Sequence, residues 1–160
     1  MDNYMKLEIA AKGENEGFAR SAVAAFALPL GPSLSELADI KTAVSEAVTN
    51  CIVHAYKHDG EKKILLECET KKTALGGFLH IIITDYGCGI ADVERAVEPF
   101  YTTLEDHERS GMGFTIMQTF TDEFSLSSTC GKGTTVRMLK KIGKDLLEKE
   151  ALLEKERLNA

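Results

Sequence analysis

Glu46 and Asn50 stand four residues apart in Ser45-Glu46-Ala47-Val48-Thr49-Asn50, a carboxylate and a carboxamide at helical spacing. A carboxylate can take the proton of an attacking hydroxyl, and an amide oxygen can complete a Mg²⁺ shell built mainly from phosphates and water. Downstream, Asp85 follows the apolar run Ile81-Ile82-Ile83 and opens the turn Asp85-Tyr86-Gly87-Cys88-Gly89. A carboxylate there can accept a hydrogen bond from an exocyclic amine, which favours adenine over guanine. Gly87 and Gly89 admit backbone conformations and close ligand approach that a β-carbon would block. Gly111 and Gly113 lead into a second helical run, where free N–H groups and the helix dipole favour phosphate. Gly131-Lys132-Gly133-Thr134-Thr135 makes a last glycine turn. Taken singly, these are a wet helix face, a common turn and a plain helix start. In this order they predict a nucleotide site.

The elements that must position them alternate between strand and helix. Lys6 to Ala10 alternates polar and apolar, as a half-buried strand does. Residues 14–28 are rich in Ala, Val and Phe and predict a helix that Pro29, Gly31 and Pro32 end. Ser33 or Ser35 caps a second helix reaching about Tyr56, with Leu37, Ile40, Val44, Val48, Cys51, Ile52 and Ala55 at helical spacing. On it, Glu46 and Asn50 lie only about 40° apart, while Val48 and Ala55 point the other way. Ile64 to Cys68 and Phe78 to Ile83 predict paired strands around a turn at Gly76-Gly77. Residues 91–111 predict a short helix and then a mobile loop. Phe114 to Phe120 reads as a helix, and Phe124–Ser128 with Thr134–Leu139 as a final hairpin. The division is a domain over 1–141 and a charged helical extension over 142–160. In that extension Ile142, Leu146, Leu147 and Leu153 form a partial apolar stripe, and Asp145 and Lys149 a favourable i,i+4 pair.

Composition sets the outer bounds. The chain has 160 residues, 44% hydrophobic and 28% charged, enough for one core without covalent staples. Its net charge of −6 argues against general nucleic-acid binding, which leans on Lys and Arg, and suits a basic protein partner. Cys51, Cys68, Cys88 and Cys130 are scattered, so reduced and mostly buried thiols in a cytoplasmic protein are expected. The N-terminus has no signal-peptide pattern, and no apolar run is long enough to span a membrane. Other nucleotide and metal motifs fail on their spacing. Asp92 stands where a dinucleotide fingerprint needs its third glycine, and Gly133 follows Lys132 where a P-loop needs Ser or Thr. His54 and His58 share an i,i+4 spacing, but no His-Glu-x-x-His motif accompanies it.

The set Glu46…Asn50, Asp85-x-Gly87-x-Gly89, Gly111-x-Gly113 and Gly133-Thr134-Thr135 resembles the N, G1 and G2 boxes of the Bergerat-fold ATPase and kinase superfamily. A closer resemblance is to the anti-sigma F factor family of spore-forming bacteria. It rests on Ser45 to Asn50, on Glu98-Pro99-Phe100-Tyr101-Thr102-Thr103, and on Glu108-Arg109-Ser110-Gly111-Met112-Gly113-Phe114-Thr115-Ile116-Met117. It runs from the first strand to about residue 140.

The resemblance implies an α/β (α+β) two-layer sandwich: a mixed, mostly antiparallel sheet with helices on one face and ATP beneath a lid over about residues 98–110. It implies a serine kinase that phosphorylates a small anti-anti-sigma protein and, with ATP or ADP bound, holds sigma factor F inactive as a homodimer. Glu46 would be the general base and Asn50 the Mg²⁺ ligand. Asp85 would read adenine with Thr134 nearby, Gly87, Gly89, Gly111 and Gly113 would shape the pocket, and Arg109 would meet the terminal phosphate. Glu16 and Arg20 would belong to the partner-docking face. Leu104, where relatives often carry Lys, and the acidic Glu105, Asp106 and Glu108 depart from the family pattern. A general-stress anti-sigma kinase, or a nucleotide-gated binding module or hydrolase in which Glu46 activates water, are the alternatives. A histidine kinase catalytic domain would need a phosphoacceptor hairpin that this chain has no room for before its first strand.

Overall fold

The computed structural model describes residues 1–99 and 112–160, apart from the side chains of Lys144, Asp145 and Leu147. In chain order the elements are β1 (Asn3–Ala10), α1 (Glu14–Ala27), a 3₁₀ turn (Leu28–Leu30), α2 (Leu34–Asn50), a π turn (Cys51–Ala55), β2 (Lys63–Lys72) and β3 (Gly77–Asp85). There follow α3 (Val93–Ala96), α4 (Gly113–Phe120), β4 (Glu123–Thr129), β5 (Gly133–Ile142) and α5 (Lys144–Leu158). The strands form one sheet in the order β1-β2-β3-β5-β4. All four pairings are antiparallel, so the expected mixed character of the sheet is corrected to a wholly antiparallel one. The chain leaves β3, makes α3 and α4, adds β4 at the edge, and returns as β5 between β3 and β4. That return puts Thr134 opposite Asp85.

Strand periodicity makes the sheet one-sided. Ile64, Leu66 and Cys68 of β2, Leu79, Ile81 and Ile83 of β3, and Val136, Met138 and Ile142 of β5 are buried. The alternate residues Glu67, Glu69, His80 and Arg137 face the other side, as a period of two requires. The buried face meets Ala19, Val23 and Ala27 of α1, Ile40, Val44, Ala47 and Val48 of α2, and Met117 of α4. Burying each large aliphatic side chain of this core stabilises the fold by about 1.5–3 kcal/mol.

Helix α2 begins where the sequence predicts. Ser33 Oγ accepts from Glu36 N (3.1 Å) and Glu36 Oε2 accepts from Ser33 N (2.8 Å), a complete capping box. The second carboxylate oxygen of Glu36 accepts from Gly143 N at 2.8 Å, tying this helix start to the end of β5. At its far end the helix does not stop cleanly but widens. Tyr56 N donates to Cys51 O, and the turn Cys51–Ala55 is π rather than α. Lys57 and His58 then take left-handed φ of 50° and 65°, so His54 and His58 share no helix face.

Two further readings are corrected. Ile142 is the last residue of β5, paired with Gly77 and fully buried, not the first residue of a tail helix. Gly143 (φ +68°) makes the bend between them, and Leu146, Leu152, Leu153 and Leu158 of α5 are exposed. The Asp145–Lys149 pair lies outside the described side chains, and the loop expected after α3 lies outside the described residues from residue 100. All four cysteines are free, as expected, but only Cys51 and Cys68 are buried, while Cys88 and Cys130 are exposed.

Candidate nucleotide site

The apolar stripe of α2 packs on the sheet and leaves Ser45, Glu46, Thr49 and Asn50 half-buried along one side. Helix α4 crosses that side with Gly113 at its first position. A β-carbon on Gly113 would lie 3.2 Å from both amide atoms of Asn50 and 3.3 Å from Glu46 Oε2. The two residues singled out by spacing therefore converge on one point, and a glycine lets a helix start there. Met112 at the N-cap of α4 makes no side-chain capping hydrogen bond, and the first N–H groups of a helix are ones that phosphate can satisfy. A carboxylate, a carboxamide and an uncapped helix N-terminus are a donor set that fits a phosphate with its hydrated Mg²⁺.

One peptide step onward the site acquires its second half. Cys51 follows Asn50 into the π turn and is buried within electrostatic reach of the carboxylate of Asp85. Asp85 closes β3 and is buried; its Oδ1 accepts from Gly87 N at 2.9 Å, and Thr134 is its ladder partner on β5. Burial pushes the Asp85 carboxyl above its usual range, while Gly87, Cys51 and Thr134 pull it back. Burial, and then the charge of Asp85, push the Cys51 thiol well up, so it stays protonated. The result is a carboxylate held in place by the Gly87 N–H, with acceptor capacity to spare.

The glycines of this turn make room chiefly for the protein itself. A β-carbon on Gly87 would meet Ala55 O at 2.5 Å, one on Gly89 would meet Thr129 O at 2.2 Å, and one on Gly133 would meet Asp85 O at 2.1 Å. The loop after β3 is thus wedged between the π turn and the β4–β5 turn. Cys88 N donates to Ala55 O and Gly131 N to Cys88 O. Tyr56 clamps the same loop: its hydroxyl donates to Lys63 O (2.6 Å) and accepts from Tyr86 N (2.7 Å). Thr134 shares a hydrogen bond with Ser128 (2.8 Å), whose hydroxyl also accepts from Ile90 N. Spacing did not single out Cys51, Tyr56 or Ser128. Only the adjacency of Cys51 to Asn50 hinted at a role.

Glu16 and Arg20 form an ion pair on α1 (2.9 Å), each half-buried. Arg20 Nη1 also approaches Ser45 Oγ at 3.4 Å, which joins this surface to the helix that carries Glu46. Arg109 and Gly111 lie outside the described residues. Glu46, Asn50, Asp85, Gly87, Gly89, Gly113 and Thr134 are all placed in the two joined halves of the site.

Residues 9–140 match the family described as the histidine kinase-like ATPase domain. Among curated proteins, the chain is similar to an anti-sigma F factor of Thermoanaerobacter sp. (strain X514), 53% identical over 143 residues that cover 89% of this chain and 96% of that one. An anti-sigma F factor of Clostridium perfringens is 50% identical over 145 residues, covering 89% of this chain and 99% of the relative. Among solved structures, the RsbU and RsbW domains of a Mycobacterium tuberculosis protein share the fold with a TM-score of 0.60 at 18% identity, over 88% of this chain and 32% of that one. The mycobacterial sensor histidine kinase MprB does so with a TM-score of 0.50 at 14% identity, over 88% of this chain and 98% of that one.

Proposed function

This chain belongs to the anti-sigma F factor family, within the histidine kinase-like ATPase domain proteins, and on that premise we propose that it is an ATP-dependent protein-serine kinase and an inhibitor of sigma factor F. The observation that carries the proposal is the convergence of Gly113 on Glu46 and Asn50, one residue away from the Cys51–Asp85 pair. Asp85 accepts the exocyclic amine of adenine, beside Thr134. Asn50 would hold Mg²⁺ through its amide oxygen, and the ion would offset charge on the phosphates of ATP. Gly113 leaves room for phosphate beside Glu46 and Asn50, Gly87 and Gly89 let the loop after β3 pack beside Asp85, and Gly111 is carried over from the family pattern.

Glu46 takes the proton from the serine hydroxyl of a small anti-anti-sigma protein as its oxygen bonds to the γ-phosphorus and the bond to ADP breaks. Arg109, carried over from the family pattern, meets the terminal phosphate. Such transfer depends mostly on positioning and charge neutralisation, which the rigid junction of α2, α4 and β3 supplies.

Glu16 and Arg20 dock both protein partners. Competition for that face, weighted by nucleotide state, makes a switch. Arg20 at Ser45 gives the face a physical link to the catalytic helix. The working form is a cytoplasmic homodimer whose partners are proteins rather than nucleic acid or membrane, in keeping with the −6 charge. Among the described residues no helix is long and apolar enough to cross a membrane.

The test is to incubate the chain with Mg²⁺, γ-labelled ATP and the organism's candidate anti-anti-sigma protein, with Glu46→Gln as control. Label on a partner serine, lost in the Gln variant, is the expected result. Label released only as free phosphate would make the chain a hydrolase instead.

A further inference from the structure

We propose that Lys140 is a positioning residue: it holds α4 at a fixed height on α2 and thereby sets the gap between Gly113 and the Glu46–Asn50 pair. Lys140 points from β5 into the helical layer and is buried. Its ammonium donates to Asp39 Oδ2 on α2 at 2.7 Å and to the carbonyl of Phe120, the last residue of α4, at 3.0 Å. The Asp39 side chain is only 25% exposed and that of Lys140 11%, so this is an ion pair within the packed layers. One charge therefore ties together a strand and the two helices that carry the candidate site.

The lever is short. Helix α4 has eight residues, about 12 Å at helical rise, with Phe120 held by Lys140 at one end and Gly113 at the other. The exit from α4 is pinned to the same strand, through Asp122 N to Leu139 O (2.8 Å) and Lys141 N to Asp122 Oδ2 (2.7 Å). At the Gly113 end the clearance is less than a methyl group needs, because a β-carbon there would sit 3.2 Å from the Asn50 amide. A slide or tilt of α4 by a fraction of an ångström is felt directly at Asn50 and Glu46. A buried ion pair is a poor way to add stability, since apolar replacements often serve as well. It is a good way to fix the register of two helices. Lys140 touches no reacting atom, and it acts through α4.

This inference rests on the nucleotide-site reading above, and the experiment separates the two. Lys140→Met keeps the aliphatic stem and removes the charge; Lys140→Arg restores a donor. In the full chain, Mg-ATP binding is measured by calorimetry, transfer kinetics on the anti-anti-sigma protein, and the Asn50 side-chain amide resonance by NMR. The Met variant is expected to melt cooperatively but to lose about 10- to 100-fold in kcat. Its KM for the protein substrate stays unchanged, the Asn50 amide resonance shifts, and Arg recovers much of the loss. Should the Met variant fail to fold, Asp39→Asn, which keeps an acceptor at the same place, is expected to show a smaller loss of the same kind. A lower melting point with wild-type kcat, ATP affinity and Asn50 resonance would overturn the proposal. If the unsubstituted chain binds no ATP, the nucleotide reading falls, and the Asn50 resonance still decides whether Lys140 sets the gap.

Discussion

Asp85 shows how much one residue can concentrate. Its carboxyl titrates above the ordinary carboxylate value of about 4 because burial disfavours its charge, against the pull of Gly87, Cys51 and Thr134. Cys51 and Tyr56 are the titratable groups coupled to it from the neighbouring turn. The folded state thus binds the Asp85 proton more tightly than the unfolded chain. Without nucleotide, this residue's contribution to stability falls as pH rises from the ordinary carboxylate value through the raised one. Under the proposed adenine contact ATP has the opposite sign, since the adenine amine donates best to the ionised acceptor. ATP affinity is therefore expected to weaken on acidification, starting above pH of about 4, and Asp85→Asn is expected to bind weakly with that pH dependence gone; calorimetry from pH 7.5 downward reads both. Gly113→Ala is the second test at this scale. Its methyl would stand 3.2 Å from Asn50 and 3.3 Å from Glu46, so kcat is expected to fall roughly tenfold or more while the melting point hardly moves, read by steady-state kinetics and calorimetric melting. The sequence revealed Glu46, Asn50 and Asp85 because each stands at a recognisable place, a helix face or a strand end. It hid the placing of Cys51 beside Asp85 because nothing in a cysteine's neighbours tells which way a widened turn will aim it.

At the scale of elements, what was legible was what local chemistry controls. Ser33 with Glu36 started α2 where the capping pattern puts it, and Gly131 with Gly133 marked the last hairpin. What partners control was harder to read. Strand β2 runs on through Glu69-Thr70-Lys71-Lys72 because β3 offers it a ladder, not because those residues favour a strand. Ile142, set among lysines, looks helical until Gly77 pairs with it. The wholly antiparallel sheet follows from where β5 inserts, which no local signal encodes. The π turn is likewise a tertiary outcome, and Tyr56 is what makes it matter. Tyr56→Phe would leave Tyr86 N–H and Lys63 C=O without their partner, and a cost of about 1–3 kcal/mol is expected by denaturant unfolding. ATP affinity should drop with it, because the loop that carries Gly87 loses its clamp. Gly133→Ala is expected to cost more, about 2 kcal/mol or above, because φ of +118° and the Asp85 carbonyl both exclude a β-carbon.

For the whole molecule, one core on one face of one sheet gathers the elements from β1 to β5, and among the described residues none of α5 belongs to it. The matched family region ends at residue 140, and α5 exposes four of its leucines. A chain ending at Gly143 is therefore expected to melt within a few degrees of the full protein and to phosphorylate the anti-anti-sigma protein at the same rate. A large loss of either would show that the extension belongs to the working domain. The surface scale also explains why partner identity was legible only through resemblance. Charge and a half-buried ion pair on α1 say that a protein could dock there, but not which one.

The central claim is that Glu46 does chemistry while the rest of the site holds the nucleotide, and ATP affinity measured beside single-turnover phosphoryl transfer for Glu46→Gln tests it most directly. The expected result is an ATP affinity close to that of the unsubstituted chain with transfer to the partner serine slowed by about 10²- to 10⁴-fold. Transfer at an undiminished rate would contradict it, because a carboxamide cannot take the serine proton.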